Sequence, residues 1–331
     1  MAKAKYSFWS DVDAEEYYII KLKKGLEQLT AINAIRDHIA NSIYQVFRVH
    51  TANLYIGYYQ KQLGLFSKVI PGYKDLVEWF SNKKALEEIN QQSKVDDCVA
   101  AYKKVESDLS ICGKEALLAA AIILDDMDVL GSAMRNIGLI KCSSKHQIIK
   151  IDPGDSIFDS ADIDSALLKF AANLSLDNPL IYAPFSFSKV CNNPQNIIGN
   201  LHFSEFFHDI DKEKLKSELA KFASLDDAHI KKLIIREEYL GLLPSDNKKL
   251  LEQWANLLIR KKAVLKKALN LPEMKVSPPE LAPVFVKDIV FSEPLEEIKY
   301  GASRPFKVKR IVPSKVLEHD SAPCASAMKV V

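Results

Sequence analysis

Between Leu29 and Phe47, apolar side chains recur every three or four positions, at Leu29, Ile32, Ile35, Ile39, Ile43, Val46 and Phe47. This spacing lines one face of an amphipathic helix, expected over Leu26 to Val49, with Thr30 or Asn33 available to cap it. The preceding stretch EEYYIIKLK, residues 15–23, is rich in aromatic and β-branched types and reads as a strand that ends at Gly25, with Lys21 and Lys23 on one face. Two short apolar runs follow, ANLYIGYY and LGLFSKVI, parted by QKQ, a pattern that fits a hairpin. PGYKDLVEWF then opens on a proline-glycine break and returns to helical spacing.

Residues 93–124 read as helix in two pieces broken at Gly113. The second piece, KEALLAAAIIL, is apolar almost all round and belongs at the centre of a domain. IGLIKC and QIIKI flank SSKH as a second hairpin. With its turn centred near Ser144, Asn136 should face Asp152 at roughly 4.5 to 5.5 Å. A loop-rich stretch with a short helix near 162–173 leads to three helical runs at about 211–223, 226–237 and 246–269. The final sixty residues hold eight of the fourteen prolines and no long period, so 271–331 is expected as an extended arm or partly disordered tail.

Composition narrows the classes. A chain of 331 residues exceeds the usual span of one core, about 250 to 300 residues, so two lobes or two small domains are expected. The net charge of +2 argues against wholesale nucleic-acid binding, which normally shows a basic excess. Five scattered cysteines without a CxxC pair suggest neither a disulfide framework nor a zinc site. The seven histidines form no HExxH, and His202 and His208, among Phe203, Phe206 and Phe207, read as interfacial aromatics. The amino-terminal residues lack the apolar core of a signal peptide, and no run approaches a membrane span, so a soluble protein is expected.

Four features occur in the order that kinase-type phosphoryl transfer requires: a strand lysine, an acid on the next helix, an Asp before an Asn in a loop, and an Asp-x-Gly after the following hairpin. Lys21, Asp37, Asp128 with Asn136, and Asp152 in KIDPG occupy these places. In such a site the lysine neutralises nucleotide phosphates and the helix acid holds it. The loop Asp orients a substrate hydroxyl, and Asn136 and Asp152 hold magnesium. Each residue alone has an ordinary alternative as a solvated lysine, a surface acid, a strand start or a turn. Asp125 and Asp126 are alternatives to Asp128, because seven residues separate Asp128 from Asn136 where common kinases have four.

GLFSKVIPGYKDL, DMDVLGSAMRNIGLI and KIDPGDSIF together resemble the Legionella-type secreted effector kinases, atypical phosphoinositide and protein kinases distantly similar to lipid kinases and HipA-like kinases. The resemblance covers about residues 15–160. It implies an α+β bilobal protein-kinase-like fold, with an N-lobe over 1–69, a helical C-lobe over 70–270 and the arm over 271–331. It also implies ATP and Mg2+ as cofactors, a hinge near Ser67 to Pro71 with Ser67, Val69 and Ile70 against the adenine, and Lys21 and Asp37 on the phosphates. Secretion by a bacterium into a host cytosol would follow. The pattern departs from the family in having Asp37 where Glu is usual and no glycine before Lys21. Either the lid over the nucleotide is unconventional or the chain begins inside a longer protein.

Two basic clusters bear on substrate. Arg260, Lys261, Lys262, Lys266 and Lys267 read as a solvated helix end or a local anion site. Residues 299–316 carry six Lys/Arg and no acid, which suits an acidic membrane surface or pairing with the acids between Asp288 and Glu297. The resemblance implies a phosphoinositide as the expected substrate, and the basic segment would suit its membrane. A host protein is the alternative substrate, and a pseudokinase binding module the alternative without catalysis.

Overall fold

The computed structural model describes residues 18–24, 27–59, 61–76, 109–126, 129–130, 136–153, 164, 167, 206–207, 209–244, 247–271, 281 and 283–285. The fold is α+β. Its first layer is an antiparallel sheet of β1 (Tyr18–Lys21), β6 (Gln62–Lys68) and β5 (Leu54–Tyr59), in the order β1-β6-β5. The β5–β6 hairpin has the expected partners, with Leu54 opposite Ser67 and Tyr59 opposite Gln62. Helix α1 (Ala31–Val46) packs on this sheet, and Thr30 caps it by accepting from the Asn33 amide at 3.2 Å. The helix starts later than its apolar spacing suggests, because Lys23–Lys24 (β2) and Glu27–Gln28 (β3) first pair as a two-residue ladder.

A second sheet runs β4-β10-β9-β7, with β8 also beside β10. It comprises β4 (His50–Thr51), β7 (Lys74–Asp75), β8 (Ile111–Cys112), β9 (Ile137–Cys142) and β10 (Lys145–Lys150). Two expectations change here. Lys74–Asp75 and Ile111–Cys112 are strand rather than helix, because each finds an edge partner, β9 and β10 respectively. The β9–β10 turn is a two-residue loop with Ser143 at φ 53°, so Lys145 pairs with Cys142 and Ile137 with Lys150. That register is one residue short of the expected one. Asn136 therefore lies beside Ile151, whose amide donates to the Asn136 carbonyl at 2.9 Å, and not opposite Asp152. Gly138 is required where β7 crosses β9: a Cβ there would lie 2.3 Å from the Lys74 carbonyl oxygen and 2.4 Å from the Tyr73 ring.

Helix α2 (Lys114–Leu124) begins after Gly113, at φ 98°, and is buried along nearly its whole length, as an all-apolar helix must be. Around it lie α3 (Lys212–Ala223), α4 (Asp227–Ile234), α5 (Glu237–Leu242) and α6 (Lys248–Leu269). Asp211 and Asp226 cap α3 and α4 through backbone amides. The run expected over 226–237 is thus two helices, broken at the extended Ile235. In α6, Leu251, Trp254, Ala255, Leu258 and Leu265 turn inward at helical spacing. One apolar cluster runs from α1 through α2 to α6. The helical part of 77–80, the first helical piece over 93–108, His202, His208, and the arm other than 271, 281 and 283–285 lie outside the described residues.

His38 ties three parts of this fold together. It is buried on α1, with Nδ1 2.8 Å from the Tyr239 hydroxyl of α5 and Nε2 3.2 Å from the Pro283 carbonyl. Burial pushes its pKa down from 6.5 to about 4, reinforced by Arg236 and opposed by the Pro283 and Leu54 carbonyls and by Glu238.

Two predictions follow from these contacts. Gly138→Ala should cost about 1 to 3 kcal/mol by overpacking, read as a lower urea midpoint with an unchanged m-value. Because His38 is neutral when folded, the unfolded chain binds the extra proton. Stability therefore falls as pH drops from 6.5 towards 4, by about 3 kcal/mol. Denaturation of the wild type and His38→Gln at pH 7 and pH 4 should show that excess loss in the wild type alone.

Candidate active site

Lys21 sits at the end of β1, opposite Leu65 of β6. Its Nζ lies 3.3 Å from Oδ2 of Asp37 on α1 and 2.7 Å from Oδ1 of Asp152, just past β10. Burial alone would lower the lysine's pKa. The carboxylates of Asp152 and Asp37 outweigh it and hold the ammonium above the ordinary lysine range, so Lys21 is a permanent cation here. Asp37 is wholly buried, whereas the Asp152 side chain is about half exposed at 49%. The lysine thus bridges an inner structural acid and an outer acid that faces solvent.

Asp152 reaches the lysine despite the shifted register because the strand ends there. Its φ is 47°, in the left-handed region that residues with a Cβ seldom adopt, and Pro153 follows it. That turn breaks the alternation of β10 and redirects the carboxylate. Such a conformation costs on the order of 1 to 3 kcal/mol and persists only where its surroundings fix it. The fixing group is Lys150, whose Nζ donates to the Asp152 carbonyl at 3.1 Å.

Lys150 belongs to a buried network that its place in an apolar strand conceals. Its ammonium is 3.6 Å from Asp126 Oδ2, and both side chains are almost fully buried. The Tyr44 hydroxyl of α1 donates to the same carboxylate oxygen, and Lys150 lies 5.9 Å from the Tyr44 ring centroid. Asp125, at φ 49°, is held at 2.5 Å by Lys261 of α6, which also donates to the Ile123 carbonyl at 2.8 Å. Two lysines from different elements therefore occupy the two acids that end α2. Asp125 and Asp126, considered above as alternative catalytic acids, are each paired with a lysine. Asp128 lies outside the described residues, as do Gly131 and Gly154.

The basic cluster on α6 is largely consumed in the same way. Besides Lys261, Arg260 pairs with Asp164 at 2.5 Å, and Lys262 binds the Leu225 carbonyl and Asp227. Lys261 and Lys262 are thereby held within the protein, whereas Arg260, Lys266 and Lys267 are exposed. The segment 299–316 lies outside the described residues.

Of the hinge residues, Ser67 sits in β6 between Ile19 and Leu54, and Val69 and Ile70 follow half-buried. The Ile70 carbonyl accepts from the Tyr73 amide at 3.2 Å, closing a turn in which Gly72 has φ 75°. Asn136 is placed beside Asp152 through its backbone bond to Ile151, and its own amide donates to the Leu130 carbonyl at 2.9 Å. Among the described residues no three His, Cys, Asp or Glu side chains gather as a metal cluster, and no helix is long and apolar enough to cross a membrane.

Neither a family model nor a curated protein matches the chain, so its likeness to the Legionella-type effector kinases rests on the quoted motifs. Among solved structures it is similar to the proinflammatory kinase CtkA of Helicobacter pylori, with a TM-score of 0.43 and 14% identity, over 81% of this chain and 96% of that one. It is also similar to a chain of the Shewanella oneidensis HipA, HipB and operator DNA toxin–antitoxin complex. That match has a TM-score of 0.36 and 13% identity, over 77% of this chain and 59% of the other.

The network makes its own prediction. Lys150→Met should destabilise the chain by about 3 to 5 kcal/mol, because Asp126 is left as a buried uncompensated charge. The double variant Asp126→Asn/Lys150→Met should recover most of that loss in urea unfolding. Equal instability of the single and double variants would show that the pair is not the source of the effect.

Proposed function

We propose that the chain is an ATP-dependent phosphotransferase of the kinase type. The observation that carries this reading is the Lys21 ammonium held between Asp37 and Asp152, residues brought together from a strand, a helix and a hairpin end. A permanent cation with a buried acid behind it and a half-exposed acid in front can hold nucleotide phosphates while the outer acid meets their counter-ion. Ser67 lies two residues along β6 from the Leu65 position that faces Lys21, about 7 Å away at strand rise, and Val69 and Ile70 follow just past the end of that strand, on the side where an extended nucleotide would place its base.

Asp152 and Asn136 offer hard oxygen donors, the type that magnesium prefers, and the exposed carboxylate of Asp152 suits an ion that keeps several waters. These two residues would hold magnesium when it binds with ATP, and the chemistry it would supply is neutralisation of phosphate charge. The chain's own residues do the rest: Lys21 binds phosphate oxygens, Asp37 keeps Lys21 aimed, Lys150 keeps Asp152 in its left-handed turn, and Asp128 would orient the attacking hydroxyl and take up its proton. For substrate the reading is a phosphoinositide hydroxyl at an acidic membrane surface, supported by the six Lys/Arg and absent acids of 299–316. The effector setting in a host cell follows only from the motif resemblance.

Titration with ATP and magnesium should raise the melting temperature, and purified protein should transfer labelled phosphate to phosphoinositide vesicles in preference to protein extract. Lys21→Met and Asp152→Ala should each lower transfer by about 100-fold or more. Transfer to protein extract alone would replace the lipid by a protein substrate. Nucleotide binding without transfer would make the chain a pseudokinase, and no binding at all would end the kinase reading.

A further inference from the structure

The described part of the carboxy-terminal segment is built into the first layer. Val284 is buried at 1%, its carbonyl accepts from the Ile56 amide at 2.7 Å, and Phe285 forms a parallel bridge with Ile56. The segment thus covers the outer edge of β5, which would otherwise offer unpaired backbone groups. The preceding carbonyl, that of Pro283, meets His38 on α1. Two successive carbonyls of one segment therefore hold the sheet and the helix that packs on it.

The hydrogen-bond chemistry at His38 leaves one arrangement. A carbonyl only accepts, so Nε2 carries the proton, and Nδ1 is the acceptor for the Tyr239 hydroxyl. Tyr239 is itself fully buried and lies with its ring edge towards His38, while the Arg236 guanidinium sits over the tyrosine ring and pairs with Glu238. His38 directly follows Asp37 on α1. Successive residues project about 100° apart around a helix axis, so Asp37 and His38 are two anchors on different sides of one rigid rod. Lys21 holds the first anchor; Tyr239 and the carboxy-terminal segment hold the second.

We propose that Pro283, Val284 and Phe285 form a strap that sets the rotation of α1 through His38, and that His38 is a positioning residue for the Lys21–Asp37 pair. The inference rests on the kinase reading for its effect on nucleotide, but not for the mechanical coupling itself. Release of the strap removes the acceptor of Nε2, frees α1 to turn, and draws Asp37 away from Lys21.

The test uses the full chain and two readouts. Glutamine can donate to the Pro283 carbonyl and accept from Tyr239, whereas leucine can do neither. His38→Gln should therefore bind ATP and magnesium within about twofold of the wild type, and His38→Leu about tenfold more weakly with little change in kcat. Val284→Lys, which undocks the strap, should weaken ATP to the same extent, and the double variant His38→Leu/Val284→Lys should be no worse than either single one. Hydrogen exchange supplies the readout that needs no nucleotide: in Val284→Lys, peptides covering β1 and α1 should exchange faster than in the wild type, while α6 is unchanged. Unaltered exchange in β1 and α1, additive losses, or a His38→Gln variant as impaired as His38→Leu would overturn the proposal. If the wild type bound no nucleotide, the kinase reading would fail, and the exchange comparison alone would decide whether the strap holds α1.

Discussion

A single ammonium group organises the centre of this molecule. Asp37 is buried without any exposure, and an acid in that position stays ionised only beside a fixed cation. Lys21 supplies that charge from the end of β1 and spends its remaining reach on Asp152. Strand and helix must therefore meet at one point for the buried Asp37 charge to be tolerated, and the hairpin end adds the second acid. A purely structural ion pair would bury both acids. Here one side of the lysine faces a half-exposed carboxylate, so solvent reaches the outer acid but not the inner one.

The surrounding polar groups repeat the arrangement deeper in the protein. Asp126 takes Lys150 and Tyr44, and Asp125 takes Lys261, so the end of α2 is tied at once to β10, α1 and α6. Each of these lysines also donates to a backbone carbonyl, that of Asp152 or of Ile123. Buried cations of this kind contribute little net stability over apolar replacements, but breaking one partner is costly. Their use here is geometric: they fix where the chain leaves α2 and how it turns after β10, and those are the two places from which the proposed catalytic groups come.

Much of this was legible in the chain, for identifiable reasons. The periods of α1, α2 and α6 are long, and their apolar faces became the core. Lys21, Asp37 and Asp152 meet in the fold, although Lys21 and Asp152 stand 131 residues apart, because the ends of β1 and β10 converge on α1. The errors arose where a long-range partner decided the outcome. Lys74–Asp75 and Ile111–Cys112 became strands because β9 and β10 had edges to offer. The pairing of Asp126 with Lys150 and of Asp125 with Lys261 was likewise invisible locally, since those partners come from β10 and α6. His38 carried no signal at all, because both of its partners come from distant parts of the chain.

The hairpin register is shifted by one residue, and yet Asp152 reaches Lys21. Pairing slipped by one position should have sent the side chain of Asp152 to the far face of the sheet, since facing alternates along a strand. It did not, because pairing stops at Lys150 and the backbone turns left-handed at Asp152. A strand can aim a side chain only up or down, and the lysine lies in neither direction. The left-handed turn supplies the third direction. The strain it stores is bearable because Lys150 grips the carbonyl on one side and Lys21 the carboxylate on the other. A glycine would adopt this turn without strain and would leave Lys21 without its outer acid, so the conformation is explained by the carboxylate it presents.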